Sequence, residues 1–329
     1  MASLGILPVT VRRVLPAVGL VWALAVPLAG QGDFQKGISY YKQGQYQKAV
    51  QEFEQLVKAN PDYEAGYRVL GDSYLKLKDY AKAADAFRRA AELDASRFAS
   101  HLGAAVALFN LGRYEDAVRA LERGEAAAKS PRERYQFHQL RGSAWYKLNR
   151  FQEAAAELEK AVGIQRGDFN DVFQLGVALF QIGRLAEARQ YLEQAVALKP
   201  DSAEARRFLR RVEFGEAVAA IEARQYARAV ELLTRVVGDD PANAEAWYNL
   251  GLAQLFADRL REAETSFKRS AELRPAGWEA HQRLGYIYEK SERYQEALRS
   301  YSRALELHQD PALAESVKRV EERLRRQSG

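Results

Sequence analysis

Apolar and small residues recur along this chain as paired helical stripes. From Glu64, the stretch EAGYRVLGDSYLKLKDYAKAADAFRRAAELDAS sets Tyr67, Leu70, Gly71 and Tyr74 at the three-to-four spacing of one helix face. A polar break, KLKD, follows. Then Tyr80, Ala83, Ala84, Phe87 and Ala90 mark a second face. The pattern predicts two antiparallel helices joined by a tight turn. It also returns. GRYEDAVRAL (112–121) has counterparts in GQYQKAVQEF (44–53), KDYAKAADAF (78–87), NRFQEAAAEL (149–158), GRLAEARQYL (183–192), RQYARAVELL (224–233), DRLREAETSF (258–267) and ERYQEALRSY (292–301). These eight copies start 34, 34, 37, 34, 41, 34 and 34 residues apart. Self-similarity at such a period marks a repeat architecture. It overrides the division into about two globular domains that the length alone suggests at ~150 residues each.

The repeats carry their own punctuation. Gly44, Gly112 and Gly183 open decapeptides where a left-handed cap residue is expected, and Asn149 and Asp258 also tolerate that geometry. Lys78, Arg224 and Glu292 tolerate it less readily. With Glu64 as position one of the second repeat, position eight is Gly37, Gly71, Gly142, Gly176, Gly251 or Gly285 in six repeats. Position twenty is alanine in all eight, from Ala49 and Ala83 to Ala263 and Ala297. Such small residues let helices approach closely. Pro61, Pro200, Pro241 and Pro275 end second helices, because proline cannot continue one. Two spacings break the period. Three extra residues near KSPRER (129–134) are expected to lengthen a loop. Seven extra residues precede repeat six and equal about two turns, so residues 203–223 should form one helix of about 31 Å. The expected organisation is repeats one to five over 31–202 and repeats six to eight over 203–309, with a discontinuity between them or a tolerated insertion. An amphipathic helix over 310–329 caps the last repeat.

At this level of detail the chain resembles the tetratricopeptide repeat family. Repeat seven, AEAWYNLGLAQLFADRLREAETSFKRSAELRP, follows the family pattern at Trp247, Leu250, Gly251, Ala263, Phe267 and Pro275. The resemblance covers residues 30–309. Ala105 and Ala217 stand where glycine is usual. It implies an all-α fold: a right-handed α-α superhelix, or solenoid, of eight helix-turn-helix repeats with a concave groove. By the same resemblance, positions five, nine and twelve of each first helix face that groove. They give the candidate partner-binding residues Phe34, Ile38 and Tyr41 in repeat one, Phe109 in repeat three, Phe173, Val177 and Phe180 in repeat five, Phe214 and Val218 in repeat six, and Tyr248 and Leu252 in repeat seven. Repeats two, four and eight are more polar there, with Arg68 and Asp72, Gln139 and Ser143, and Gln282 and Glu289. A helix apolar on two faces is buried on both or binds something. Neighbouring first helices bury part of this stripe, so packing and ligand contact are both open. The binding hypothesis centres on repeats five to seven, anchored by Phe173, Phe180, Phe214 and Tyr248. Some family members clamp a C-terminal carboxylate with lysine at position five and asparagine at position nine. Phe34 with Ile38, and Arg68 with Asp72, do not form that clamp.

Composition narrows the function. The chain is 47% apolar and 28% charged, the profile of a folded protein. Residues 1–30 differ. Arg12 and Arg13 precede an uncharged stretch, VLPAVGLVWALAVPLAG, which reads as a signal peptide or, if retained, an N-terminal membrane anchor. There is no cysteine, which excludes disulfides, thiolate metal sites and cysteine nucleophiles. Arg12 and Arg13 account for two of the five net positive charges; the remaining surplus of +3 over residues 31–329 is spread evenly, and RRFLRR (206–211) reads as a solvated helix face, so nucleic acid is not an expected partner. No phosphate-binding loop, H-E-x-x-H or G-x-S-x-G motif occurs. His101, His138 and His281 share the position of Tyr67 and Trp247, a packing position repeated in a row rather than a converging ligand set. The expectation is a non-enzymatic scaffold in a bacterial-type cell envelope. It binds a protein or peptide and needs no cofactor, metal or small-molecule substrate. It is expected to be exported, periplasmic or secreted, and meets the inner membrane only if residues 14–30 are retained, in which case it is an anchored assembly factor; the other alternative is a repeat module serving an enzyme.

Overall fold

The computed structural model describes residues 31–328; the expected signal or anchor in residues 1–30 lies outside them. The described residues form seventeen α-helices and one short 3-10 turn, with no strand among them. Repeat one is α1 (Gln31–Lys42) and α2 (Tyr46–Ala59), repeat two α3 (Glu64–Lys76) and α4 (Tyr80–Leu93). Repeat three is α5 (Phe98–Asn110) and α6 (Tyr114–Gly124), repeat four α7 (Pro131–Lys147) and α8 (Phe151–Ile164). Repeat five is α9 (Phe169–Gln181) and α10 (Leu185–Leu198), repeat six α11 (Ala203–Glu222) and α12 (Tyr226–Asp239). Repeat seven is α13 (Ala244–Phe256) and α14 (Leu260–Leu273), repeat eight α15 (Trp278–Lys290) and α16 (Tyr294–Leu307), and α17 (Pro311–Ser328) follows.

Each recurrent decapeptide has a physical job. Its first residue takes a left-handed conformation in every repeat, with φ near 75–80° at Gly44, Gly112 and Gly183 and 57–61° at Lys78, Asn149, Arg224, Asp258 and Glu292. That conformation reverses the chain within two residues, so the second helix can fold back on the first. The alanine at position twenty is fully buried in all eight repeats. The decapeptide's last residue, from Phe53, Phe87 and Leu121 to Phe267 and Tyr301, is the inward wedge, at most 3% exposed. Glycine at position eight makes room for that wedge: a Cβ on Gly71 would stand 2.8 Å from the Phe87 ring, and one on Gly251 2.8 Å from Phe267.

The two irregular spacings are absorbed in helices. The residues around 129–134 do not simply lengthen a loop. They add a turn to α7, which runs 17 residues against 13 in α3, while α6 ends early at Gly124. The cause is a capping box: Ser130 Oγ accepts from the Glu133 amide at 3.2 Å, Glu133 accepts from the Ser130 amide at 2.9 Å, and Pro131 occupies the first helical position. The seven residues before repeat six extend α11 to 20 residues, about 30 Å of continuous helix, as the register argument requires.

The chain divides into two compact units, Met1–Ile182 and Gly183–Gly329. In the first, α1 to α9 stack in chain order around a core that includes Phe53, Phe87, Phe98 and Leu121. In the second, α10 to α17 stack likewise, with one cluster of buried side chains around Leu233 and another around Phe267 and Tyr301. The break in period at residue 203 lies inside the second unit. There α17 closes the stack, with Leu313 and Val320 fully buried among the side chains of α15 and α16.

Candidate interaction face

First helices of successive repeats touch one another, α3 against α5, α5 against α7 and α7 against α9 in the first unit, and α11 against α13 in the second. This brings positions five, nine and twelve into rows. On α1, Phe34 lies edge-on to Tyr63 at 5.8 Å and Tyr41 edge-on to Tyr46 at 5.4 Å; both stay half-buried, while Ile38 between them is 3% exposed. Phe109 is buried, edge-on to Tyr114 at 5.1 Å. Phe173 stacks flat on Phe169 at 5.7 Å and is buried, as is Val177, whereas Phe180 keeps part of its surface. In the second unit Phe214, Val218, Tyr248 and Leu252 are all half-buried, with Tyr248 edge-on to Phe267 at 5.6 Å.

The candidate stripe is therefore of two kinds. Ile38, Phe109, Phe173 and Val177 pack, and have almost no surface to offer a ligand. Phe34, Tyr41, Phe180, Phe214, Val218, Tyr248 and Leu252 pack on one side and keep the other open. Of the four anchors named from sequence, Phe173 and Phe180 lie in the first unit and Phe214 and Tyr248 in the second. Tyr286, at position nine of repeat eight, is 47% exposed. The same register locates it, yet reading by triplets passed over it because its neighbours Gln282 and Glu289 are polar.

The polar interruptions are mostly spoken for. In repeat four, Gln139 Nε2 donates to Asp171 Oδ1 at 3.0 Å, Tyr135 donates to Asp171 Oδ2 at 2.8 Å, and Ser143 donates to Gln174 at 2.9 Å. These bonds tie α7 to α9. Burial, with help from the nearby Asp168, raises the Asp171 carboxyl to about 6. In repeat eight, Glu289 receives Arg319 of α17 at 2.9 Å and Tyr301 at 3.2 Å. In repeat two, Arg68 turns to Glu64 at 3.3 Å, and Asp72 is left alone.

The histidines sit where packing puts them. His101 Nε2 contacts the carbonyl of Ala95 at 3.0 Å, six residues back, and Trp247 Nε1 donates to the carbonyl of Pro241, also six back, at 3.0 Å. The shared position thus ties the first helix to the loop before it. His138 instead meets Glu157 at 2.8 Å, and His308 stacks on Trp278 at 4.4 Å. Among the described residues no group of three or more His, Cys, Asp or Glu side chains is disposed around a common metal position. No described helix is long and apolar enough to cross a membrane. On the added turns of α11, Arg207 and Arg211 lie over Phe208 at 5.8 and 5.1 Å, and Arg206 and Arg207 are exposed.

A stack of short helix pairs that aligns part-open aromatic and aliphatic side chains is a repeat protein that works by presenting a surface. Models of the tetratricopeptide repeat match residues 34–98, 102–169, 146–212, 220–275 and 278–311, and the chain belongs to the tetratricopeptide repeat family. It is a protein–protein interaction scaffold of that family. Similar solved structures include the C-terminal part of a tetratricopeptide repeat protein from Cytophaga hutchinsonii, 17% identical, covering 76% of this chain and 99% of that one, with a TM-score of 0.49. MamA from residue 41 onward, of Desulfovibrio magneticus RS-1, is 22% identical over 54% of this chain and 96% of that one, with a TM-score of 0.40. The Cut9–Hcn1 hetero-tetramer of the APC/C is 15% identical over 86% of this chain and 48% of that one, at 0.39. No curated protein matches the chain in sequence.

Proposed function

We propose that this protein is a non-enzymatic scaffold of the cell envelope that holds a segment of a partner protein on the first-helix face of a compact unit. The carrying observation is the set of half-open side chains at positions five, nine and twelve: Phe34, Tyr41 and Phe180 in the first unit, and Phe214, Val218, Tyr248 and Leu252 in the second. Part-buried aromatic residues held by their own core give large contact area at little entropic cost, which is why such residues dominate binding energy. One feature of the sequence supports the envelope: the apolar run after Arg12 and Arg13.

Truncating Phe180 and Phe214 to alanine tests the face. Phe173 is a poor choice because its ring is only 2% exposed, so its loss reports on the core. The expected result is that partner binding weakens at least tenfold, a loss of about 1.4 kcal/mol, while helicity and thermal midpoint hold. Unchanged binding with a collapsed midpoint would assign the stripe to packing. Sequencing the N-terminus of the protein made in its own cell tests export: a start near Gln31 supports a cleaved signal, and a retained Met1 makes the protein an anchored assembly factor.

A further inference from the structure

Five acidic residues are buried among the described residues: Asp72, Glu157, Asp171, Glu213 and Glu216. Four of them are satisfied. Glu157 takes His138 at 2.8 Å, Arg141 at 2.9 Å and Lys160 at 3.0 Å. Asp171 accepts from Tyr135 and Gln139. Glu213 and Glu216 face Arg189 at 3.6 and 3.1 Å, and Glu213 also meets Arg235 at 3.7 Å. Asp72 alone has neither a hydrogen bond nor an ion pair among the described residues. Its natural partner is Arg68, one turn back on α3, but Arg68 pairs with Glu64, which also accepts from Ser100 on α5 at 3.1 Å. Lys76, one turn on, is exposed and acts on Asp72 only at longer range.

The fold does not ask for an acid here. Ile38, Val106, Val177, Val218 and Leu252 fill position nine in five other repeats, and an aliphatic side chain packs well there. Neither oxygen of Asp72 is among the fully buried side-chain atoms left without a partner, so the carboxylate keeps a narrow contact with solvent through which a charged group can reach it. A carboxylate so largely desolvated is costly unless it is paired. The site also has a wall. Tyr41 of α1, one of the half-open residues of the face, has its phenol pushed up first by burial and then by the neighbouring charges of Asp72 and Tyr46. Arg68 does not repel an incoming cation strongly, since Glu64 already offsets it.

We propose that Asp72 is the receptor for one basic side chain, lysine or arginine, of a protein segment bound on the first-helix face of the first unit, with Tyr41 against the stem of that side chain. This rests on the reading of that face as a binding surface. A basic side chain brings the positive charge and the N–H donors that Asp72 lacks, and a charge-assisted bond to a desolvated carboxylate is stronger than one made in water. The Tyr41 ring adds a cation–π contact of the kind lysine and arginine make.

The test is a selection of phage-displayed random dodecapeptides against the full chain. The selected peptides, made with a fluorescein label, are titrated by anisotropy against wild type, Tyr41→Ala and Asp72→Asn. Peptides that weaken on Tyr41→Ala are expected to share a lysine or arginine at one position and to lose about tenfold in affinity on Asp72→Asn. Their analogues with norleucine at that position should bind wild type and Asp72→Asn alike. If Tyr41-dependent peptides carry no common basic residue, or keep their affinity on Asp72→Asn, the assignment falls and the binding face stands. If no selected peptide responds to Tyr41→Ala, the face itself is lost in this unit, and the assignment with it. Asp72→Asn keeps the side-chain volume and removes a buried charge, so its thermal midpoint at neutral pH should equal or exceed wild type. A sharp drop would show that the carboxylate serves the fold, and would overturn the proposal.

Discussion

Lys78, Arg224 and Glu292 each hold a left-handed backbone at the turn inside their repeat, with φ of 61°, 57° and 57°. The fold requires that conformation, and a side chain there costs about 1–2 kcal/mol. Glycine removes the clash but loses more entropy on folding, by roughly 0.5–1 kcal/mol. The balance favours glycine slightly. Lys78→Gly, Arg224→Gly and Glu292→Gly should each stabilise the protein by about 0.5–1 kcal/mol, read as a higher urea midpoint at unchanged slope. This turn was legible in the sequence, because the five non-glycine residues stand in register with three glycines. The state of Asp72 was not. Its polarity shows in the sequence, but its isolation depends on Arg68 choosing Glu64, a rotamer that no periodicity encodes. That isolation has a pH signature. Burial raises the Asp72 carboxyl to about 7 from its ordinary 3.8, against the opposing charges of Arg68 and Lys76 on α3 and with Tyr41 facing it from α1. The native state therefore binds this proton more tightly than the unfolded chain. Its contribution to stability falls as pH rises from about 4 through about 7. Glu157 has the opposite sign. Burial alone would raise it, but the hydrogen bonds from His138, Arg141 and Lys160 prevail and hold it at about 2, so its contribution is full above about 4.5 and is lost as pH falls toward 2. Thermal midpoints across pH 2–8 should show the decline between pH 4 and 7 flattened in Asp72→Asn and the acid limb reduced in Glu157→Gln.

At the scale of elements, the periodic pattern located the helix pairs, and the long α11 followed from counting two turns. The added turn on α7 was missed, although S-P-R-E at 130–133 displays an N-cap serine, a proline at the first helical position and a glutamate three residues on. The spacing argument asked only where extra residues could go, and the capping signal shows where they do go. The last helix is amphipathic for a reason the structure makes specific. Leu313 and Val320 are fully buried against the final repeat, and Arg319 holds Glu289 through bonds of 2.9 and 3.0 Å. A terminal repeat exposes an apolar face unless something polar on its outer side covers it. Leu313→Ala should cost about 2–4 kcal/mol in the second unit, because it empties a site with no room to collapse. Arg319→Ala, on a 47% exposed side chain, should cost less than about 1 kcal/mol. Urea unfolding monitored in both variants orders them.

At the scale of the whole molecule, the repeat register picks out positions five, nine and twelve of each first helix but does not say which of their side chains stay open. Position in a helix fixes direction, but exposure depends on what the next repeat brings, as the difference between buried Phe173 and half-open Phe214 shows. The same nearest-neighbour logic governs stability. The substantial helix–helix contacts join elements one or two places apart along the chain, such as α3 with α4 and α5, or α15 with α16. In such an array stability is close to a sum of repeat and neighbour terms, so damage stays local and a single unfolding free energy is poorly defined. Leu313→Ala combined with Val320→Ala should therefore raise amide exchange in α15, α16 and α17 by at least tenfold, as their opening free energy falls by more than about 1.4 kcal/mol, while protection in α1 to α4 stays at wild-type level. Hydrogen exchange read by mass spectrometry resolves these segments in one experiment. A uniform loss of protection from α1 to α17 would mean that the chain unfolds as one cooperative body, and would replace the additive account with a global one.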